Sequence, residues 1–157
     1  MAEVASERPE GDVNPPPEGM TAEEALRLAR DVRSPLVDKL GIEFLELGQH
    51  RVRARMPVAG NTQPYGVLHG GATASLCETA ASIGTAFLVG VGKLAVGIDL
   101  TVTHVRSARE GWVTVTAEPL RIGRTVAHWD MRVHDDEGRL VAASRLTVAV
   151  REPPAPS

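Results

Sequence analysis

Residues 70–92 run for 23 positions with a single charged side chain, Glu78. That length matches a bilayer span, but Thr73, Ser75, Thr79, Ser82 and Thr85, interspersed with glycines, make the segment too polar for hydrocarbon. It reads instead as a helix buried inside a protein fold, opening at His69-Gly70-Gly71 and ending near Gly90. The rest of the chain must supply the surface that covers it. At about 100° per residue, Leu76, Thr79, Ala80, Ile83 and Phe87 lie on the side away from Glu78, whereas Gly71, Ser75, Ser82 and Thr85 lie within about 60° of it. A solvated helix face carries several Lys, Arg, Glu or Gln residues. Here the carboxylate stands among small hydroxyls and glycine, residue types that let another backbone or a ligand approach closely. Glu78 is therefore a candidate functional group.

The covering surface is legible as strands. Arg51, Arg53 and Arg55 alternate with Val52, Ala54 and Met56, which is strand periodicity. Ile42 to Leu47 forms a second strand, joined to the first at Gly48-Gln49. Beyond Gly92 the period stays at two: Leu94, Val96, Ile98, Leu100 and Val102 share one face, as do Val113, Val115 and Ala117, then Ala127, Trp129, Met131 and Val133, then Leu140, Ala142, Ser144, Leu146, Val148 and Val150. Asp135-Asp136-Glu137-Gly138 marks a hairpin turn. Upstream, Thr21 and Glu24 form a capping box that opens a short helix from about Ala22 to Val32, stopping before Ser34-Pro35. The order is short helix, two strands, long helix, four strands. This is an α+β arrangement in which a mainly antiparallel sheet of about six strands wraps one long helix.

The chain of 157 residues suits one domain: a Pro-rich acidic leader at 1–19, a single domain at 20–151 and a flexible tail at 152–157. Residues 1–24 hold seven of the 20 acids and one of the 17 bases, which leaves 13 acids and 16 bases in the remainder. That small excess is mostly arginine, since Lys39 and Lys93 are the only lysines. The bases are not clustered among stacking aromatics, so no nucleic-acid partner is expected. An arginine-rich body suits a small phosphate-bearing ligand. One cysteine, Cys77, makes no internal disulfide, and no secretory signal is visible in the first thirty residues, so a cytoplasmic location and no membrane attachment are expected. The absence of His-x-x-x-His and Cys-x-x-Cys spacings gives no metal site.

The glycines after His69 leave first-turn N–H groups uncovered at the positive end of the helix, a place where a developing oxyanion is stabilised. A carboxylate two turns further along completes a device for acyl transfer. Thioesters fit it best. A thiolate leaves without strong acid assistance, so the carboxylate has only to attack the carbonyl or activate water. No Gly-x-Ser-x-Gly elbow is present for a serine nucleophile.

Asn61-x-Gln63-x-x-Gly66-x-x-His69-Gly70-Gly71, followed by Leu76-x-Glu78 and Ser82, resembles the signature of the hotdog-fold acyl-CoA thioesterases. The similarity is to the branch with phenylacetate-pathway thioesterases and the 4-hydroxybenzoyl-CoA thioesterase that uses a helical glutamate. It covers about residues 36–151. The resemblance implies a small aryl- or medium-chain acyl-CoA as substrate, with no cofactor because coenzyme A is part of that substrate. It also implies a homodimer that pairs into a homotetramer, each site shared by two chains. Gln63 would lie near the thioester carbonyl, the Gly70 N–H would donate to its oxygen, His69 would shape the loop and assist polarisation, and Glu78 would come from the neighbouring subunit as nucleophile or general base with Ser82 holding it or the water. By position in the resemblance, Tyr65 matches an aromatic near the acyl pocket and His104 a polar pocket residue, Asn61 and Gly71 count among the substrate-binding residues, and Arg106, Arg124, Thr125 and Arg151 match sites that contact the coenzyme A phosphates and pantetheine. Two alternatives share this fold, an enoyl-CoA hydratase or dehydratase and a non-catalytic acyl-CoA sensor.

Overall fold

In the computed structural model of the chain, residues 20–31, 34–90 and 92–153 are described. The Pro-rich leader at 1–19, the expected helix end at Val32 and residues 154–157 of the tail lie outside them. In chain order the elements are α1 (Ala22–Asp31), α2 (Pro35–Leu40), β1 (Glu43–Leu47), β2 (Val52–Pro57), α3 (Gly70–Val89), β3 (Leu94–His104), β4 (Trp112–Ile122), β5 (Val126–Asp135) and β6 (Leu140–Arg151). The strands make one antiparallel sheet in the order β1-β2-β4-β5-β6-β3, and α3 packs against β2 through β6. This is the expected hotdog arrangement, with β1 and β3 as the two edges.

The core is the interface between α3 and the sheet. Val52, Ala54, Met56, Val113, Val115, Ala117, Trp129, Met131, Val133 and Val148 are all completely buried, each worth about 1.5–3 kcal/mol for the larger side chains. They are the inward members of the alternating runs. Leu76, Cys77, Ala80 and Ala81 face them from the helix. Contact is closest at Gly84, where a Cβ would stand 2.6 Å from Trp129 Cη2 and 2.8 Å from Val52 Cγ2. Only glycine allows the helix to settle that deeply.

Three expectations are corrected. First, Ser34-Pro35 does not only end a helix; it starts one. Pro35 occupies the first turn of α2, where its missing N–H has no partner to lose, and Gly41 closes it at φ +67. Second, Leu94, Val96 and Ile98 do not share the inner face with Leu100 and Val102. The register slips between Gly97 and Asp99, a bulge that reverses parity. Leu100, Val102 and His104 pair with the inward residues Leu146, Ser144 and Ala142, while Leu94, Val96 and Ile98 are exposed. Third, Thr85 does not accompany Glu78 on an open stripe. It is completely buried, its Oγ1 donating to Ala81 O at 2.9 Å and accepting from Trp129 Nε1 at 2.8 Å. The helix runs obliquely across the sheet, so one stripe passes from the sheet edge at Glu78 to beneath β5 at Thr85.

The capping box forms as read: Thr21 N–H donates to Glu24 Oε2 at 2.8 Å and Glu24 N–H to Thr21 Oγ1 at 3.2 Å. These bonds hold the Glu24 carboxyl below its usual range. The turn after β5 also forms, with Asp135 Oδ1 accepting from Arg139 N at 2.8 Å and Glu137 N at 3.2 Å and Gly138 at φ +75.

Candidate active site

His69 is the N-cap of α3. Its Nδ1 accepts the Gly71 N–H at 2.8 Å, so the imidazole is engaged on its own helix and satisfies one of the orphan donors of the first turn. The N–H groups of Ala72 and Thr73 are taken by His69 O. The Gly70 N–H has no acceptor among the described residues and is the donor left over at the positive end of a 20-residue helix. Gly70 is glycine for a second reason: a Cβ there would lie 2.9 Å from His104 Nε2. The bulge in β3 therefore aims His104 at the start of α3.

Gln63, Gly70, His104 and Arg106 line one cavity of about 490 Å³, together with the buried Thr73 and the exposed Ser107. Arg106 continues into an adjoining cleft of about 620 Å³ of mixed charge, where Arg109 and Arg139 stand among Glu110, Asp135, Asp136 and Glu137 and Arg139 is paired with Asp135 and Glu137. The loop bearing Gln63 is pinned by Asn61, whose buried Nδ2 donates to Leu40 O at 2.8 Å and Pro57 O at 2.9 Å. The Asn61 amide thus anchors the loop to the end of α2. Tyr65, at 83% exposure, stands away from this cavity.

Glu78 opens elsewhere. In the chain taken alone it is exposed, because the sheet beneath it ends at β3. Its Oε1 lies over Gly97, 2.6 Å from where a Cβ would be. With Ser75, Thr79 and Ser82 it lines a cavity of about 350 Å³ roofed by Leu36 and Val37 of α2. The sequence could have signalled Gly97, since a glycine within a strand pattern marks a close approach; the α2 side chains carry no such signal.

The anion-binding candidates separate. Arg106 follows the His104 end of β3 and its N–H donates to Val141 O at 3.2 Å. Arg151 pairs with Leu94 at the other end, and Thr125 O accepts from Val150 N at 2.8 Å beside it, with Arg124 adjacent in the turn. Within one chain these groups lie at opposite ends of an 11-residue strand, about 35 Å apart at 3.3 Å per residue.

The family description "Thioesterase superfamily" matches residues 65–142. A Vibrio cholerae relative bearing an esterase name is 45% identical over 120 residues, 76% of this chain and 80% of its own length. The 1,4-dihydroxy-2-naphthoyl-CoA hydrolase of Escherichia coli is 39% identical over 116 residues, covering 73% of this chain and 85% of the relative. Among solved structures, a thioesterase of Haemophilus influenzae superposes with a TM-score of 0.75 at 36% identity, over 85% of this chain and 92% of that one.

Proposed function

The chain belongs to the thioesterase superfamily and is a thioester hydrolase; from that premise we propose that it cleaves a small aryl- or medium-chain acyl-CoA to free acid and coenzyme A, at a site built from two copies of the chain. Glu78 acts as nucleophile or general base. The Gly70 N–H and Gln63 of the other copy receive the carbonyl oxygen.

One observation carries this reading. Glu78 and Gly70 are eight residues apart on a single helix, about 12 Å along its axis at 1.5 Å per residue, and they open into different cavities. One carbonyl cannot touch both within a chain. The strand beneath Glu78, β3, is a sheet edge that among the described residues pairs only with β6, leaving its other row of backbone groups open. Antiparallel pairing of β3 with its copy about a two-fold axis sets the Leu94 end of one strand beside the His104 end of the other. That operation carries Glu78 toward the partner's Gly70 and Gln63, and Arg124, Thr125 and Arg151 toward the partner's copy of Arg106. The exposed Leu94, Val96 and Ile98 offer apolar area for association of two such dimers.

The chemistry needs little else. Water activated by Glu78 adds to the carbonyl carbon, its proton passing to the carboxylate, while the Gly70 N–H holds the oxyanion. Collapse breaks the C–S bond and expels the thiolate, whose ordinary pKa of about 8.5 makes it a good leaving group. In the nucleophilic variant Glu78 itself forms the new C–O bond, and water then opens the mixed anhydride. Ser82, one turn beyond Glu78 on the same cavity wall, is placed to hold the water.

Thiol release from a panel of acyl-CoAs tests the activity, and subunit mixing tests the shared site. Glu78→Ala and Gly70→Ala are each expected to be nearly inactive, and a refolded equimolar mixture to regain about a quarter of wild-type turnover, since random two-fold pairing leaves one intact site in the mixed dimer. No recovery in a mixture shown to contain the mixed dimer overturns the shared site. Enoyl-CoA hydration without thiol release overturns the hydrolytic assignment.

A further inference from the structure

Two cavities meet on the flank of α3. The chamber beside Glu78 has Leu36, Val37 and Phe44 on its apolar walls. A second, of about 270 Å³, follows the C-terminal half of the helix and is lined by Leu28, Leu47, Ala86 and Phe87. Ala29 of α1 and Ile83 of α3 belong to both. In order along α3 the walls run from Glu78 through Ile83 to Phe87, so the two chambers lie end to end as a trough along the helix, with the carboxylate at one end, α2 over that end and α1 over the other.

Resting on the thioesterase reading above, we infer that this trough holds the acyl chain of the substrate, and that α1 and the far half of α3 select chains of about ten carbons over short or single-ring acyl groups. The scissile carbonyl has to sit at Glu78, so one half of the substrate leads down the trough and the other leads away. Pantetheine and phosphates carry amides and charges that need polar partners, and the cavity around Gln63, Ser107 and Arg106 supplies them. The trough keeps its hydroxyls, Ser75, Thr79 and Ser82, beside Glu78 and has Lys93 in its far chamber; between them Ala29, Leu28, Leu47, Ile83 and Phe87 present apolar surface, which suits methylenes. Its span from Glu78 to Phe87 is about 13.5 Å at 1.5 Å per helical residue. An extended chain advances about 1.25 Å per bond for tetrahedral carbons ~1.5 Å apart, so about ten to eleven bonds span it. The junction depends on size: Ala29 is 5% exposed and packs where the two chambers join, so a larger side chain there divides the trough.

The experiment is kcat/KM for saturated acyl-CoAs from two to sixteen carbons, with benzoyl-CoA alongside, on the full chain. For the wild type the value is expected to rise about three- to fourfold per added methylene and to peak at eight to twelve carbons. Ala29→Phe is expected to move the peak to six carbons or fewer. Should that buried substitution not fold, Ala86→Phe narrows the same trough from an exposed position and is expected to lower the ratio of decanoyl to butyryl turnover at least tenfold. Turnover of benzoyl or short acyl groups with no rise along the series, or a length profile unmoved by Ala86→Phe, overturns the trough while leaving the hydrolase intact. No thiol release from any member overturns the thioesterase reading itself.

Discussion

The Glu78 carboxylate lies across Gly97, with Oε1 2.6 Å from the position a Cβ would take on that glycine. The strand thus forms the floor on which the acid rests, and the floor is flat because the residue has no side chain. Gly97→Ala leaves the backbone unstrained, since Gly97 is not among the positive-φ glycines, and acts only by lifting the carboxylate. A displacement near 1 Å at a reacting group costs about a hundredfold, so kcat is expected to fall by about that factor with Tm nearly unchanged. Glu78→Ala in the Gly97→Ala background is expected to match Glu78→Ala alone. Wild-type turnover by Gly97→Ala would show that β3 does not position the acid.

A second prediction concerns Gly70 and His104. The added Cβ of Gly70→Ala meets His104 Nε2 at 2.9 Å, so the imidazole or the first turn of α3 must give way, and the free N–H shifts with it. Loss of one oxyanion donor costs about 10²- to 10³-fold in kcat, and Gly70→Ala is expected within that range. If crowding is the cause, His104→Ala in the same chain restores part of the loss. A double variant no faster than Gly70→Ala alone would place the fault in the helix start instead.

The buried pair Trp129 and Thr85 ties α3 to β5. Trp129 Nε1 donates to Thr85 Oγ1 at 2.8 Å, with both side chains out of water. Thr85→Val keeps the shape and leaves the indole N–H without an acceptor, a cost of about 1–3 kcal/mol. For a chain of this size each kcal/mol lowers Tm by about 2–4 °C. A fall of several degrees is expected for Thr85→Val and little for Thr85→Ser, which keeps the hydroxyl. Equal melting of all three proteins would mean the bond contributes nothing.

Much of the fold was legible because alternation and capping are local. Thr21 and Glu24 declare a helix start within four residues, and the β4, β5 and β6 runs declare their inner faces residue by residue. What failed was whatever a single residue decides in three dimensions. The same Ser34-Pro35 that ends one helix begins α2. One extra residue at Ile98 reverses the parity of β3, which exposes Leu94 and still sends His104 inward. Thr85 shares an angular sector with Glu78 on the helix, yet the oblique sheet covers one and not the other. Glu78 and His69-Gly70-Gly71 stood out in the sequence as candidate residue types, while their assembly did not: Arg106 lies at one end of β3 and Arg124, Thr125 and Arg151 at the other, and bringing them to one locus takes a second chain.

The remaining prediction turns on Cys77, which packs between α3 and the sheet with no exposure. Burial pushes its thiol from an ordinary value of 9.0 up to about 12, the Ser144 hydroxyl offsetting part of the rise. Since the thiolate is the reactive form, native protein is expected to stay silent toward a thiol reagent at pH 8, so that colour in a turnover assay reports coenzyme A alone. One thiol per chain is expected to appear on unfolding in guanidinium. The same shift sets a pH dependence. The folded chain holds the proton from pH 9 to about 12 while the unfolded chain releases it. Stability from this group is therefore complete below pH 9 and declines above it, with a slope of up to about 1.4 kcal/mol per pH unit. Unfolding free energies of wild type and Cys77→Ala, measured between pH 8 and 11, are expected to converge as pH rises. Parallel curves would show that the thiol does not titrate with folding.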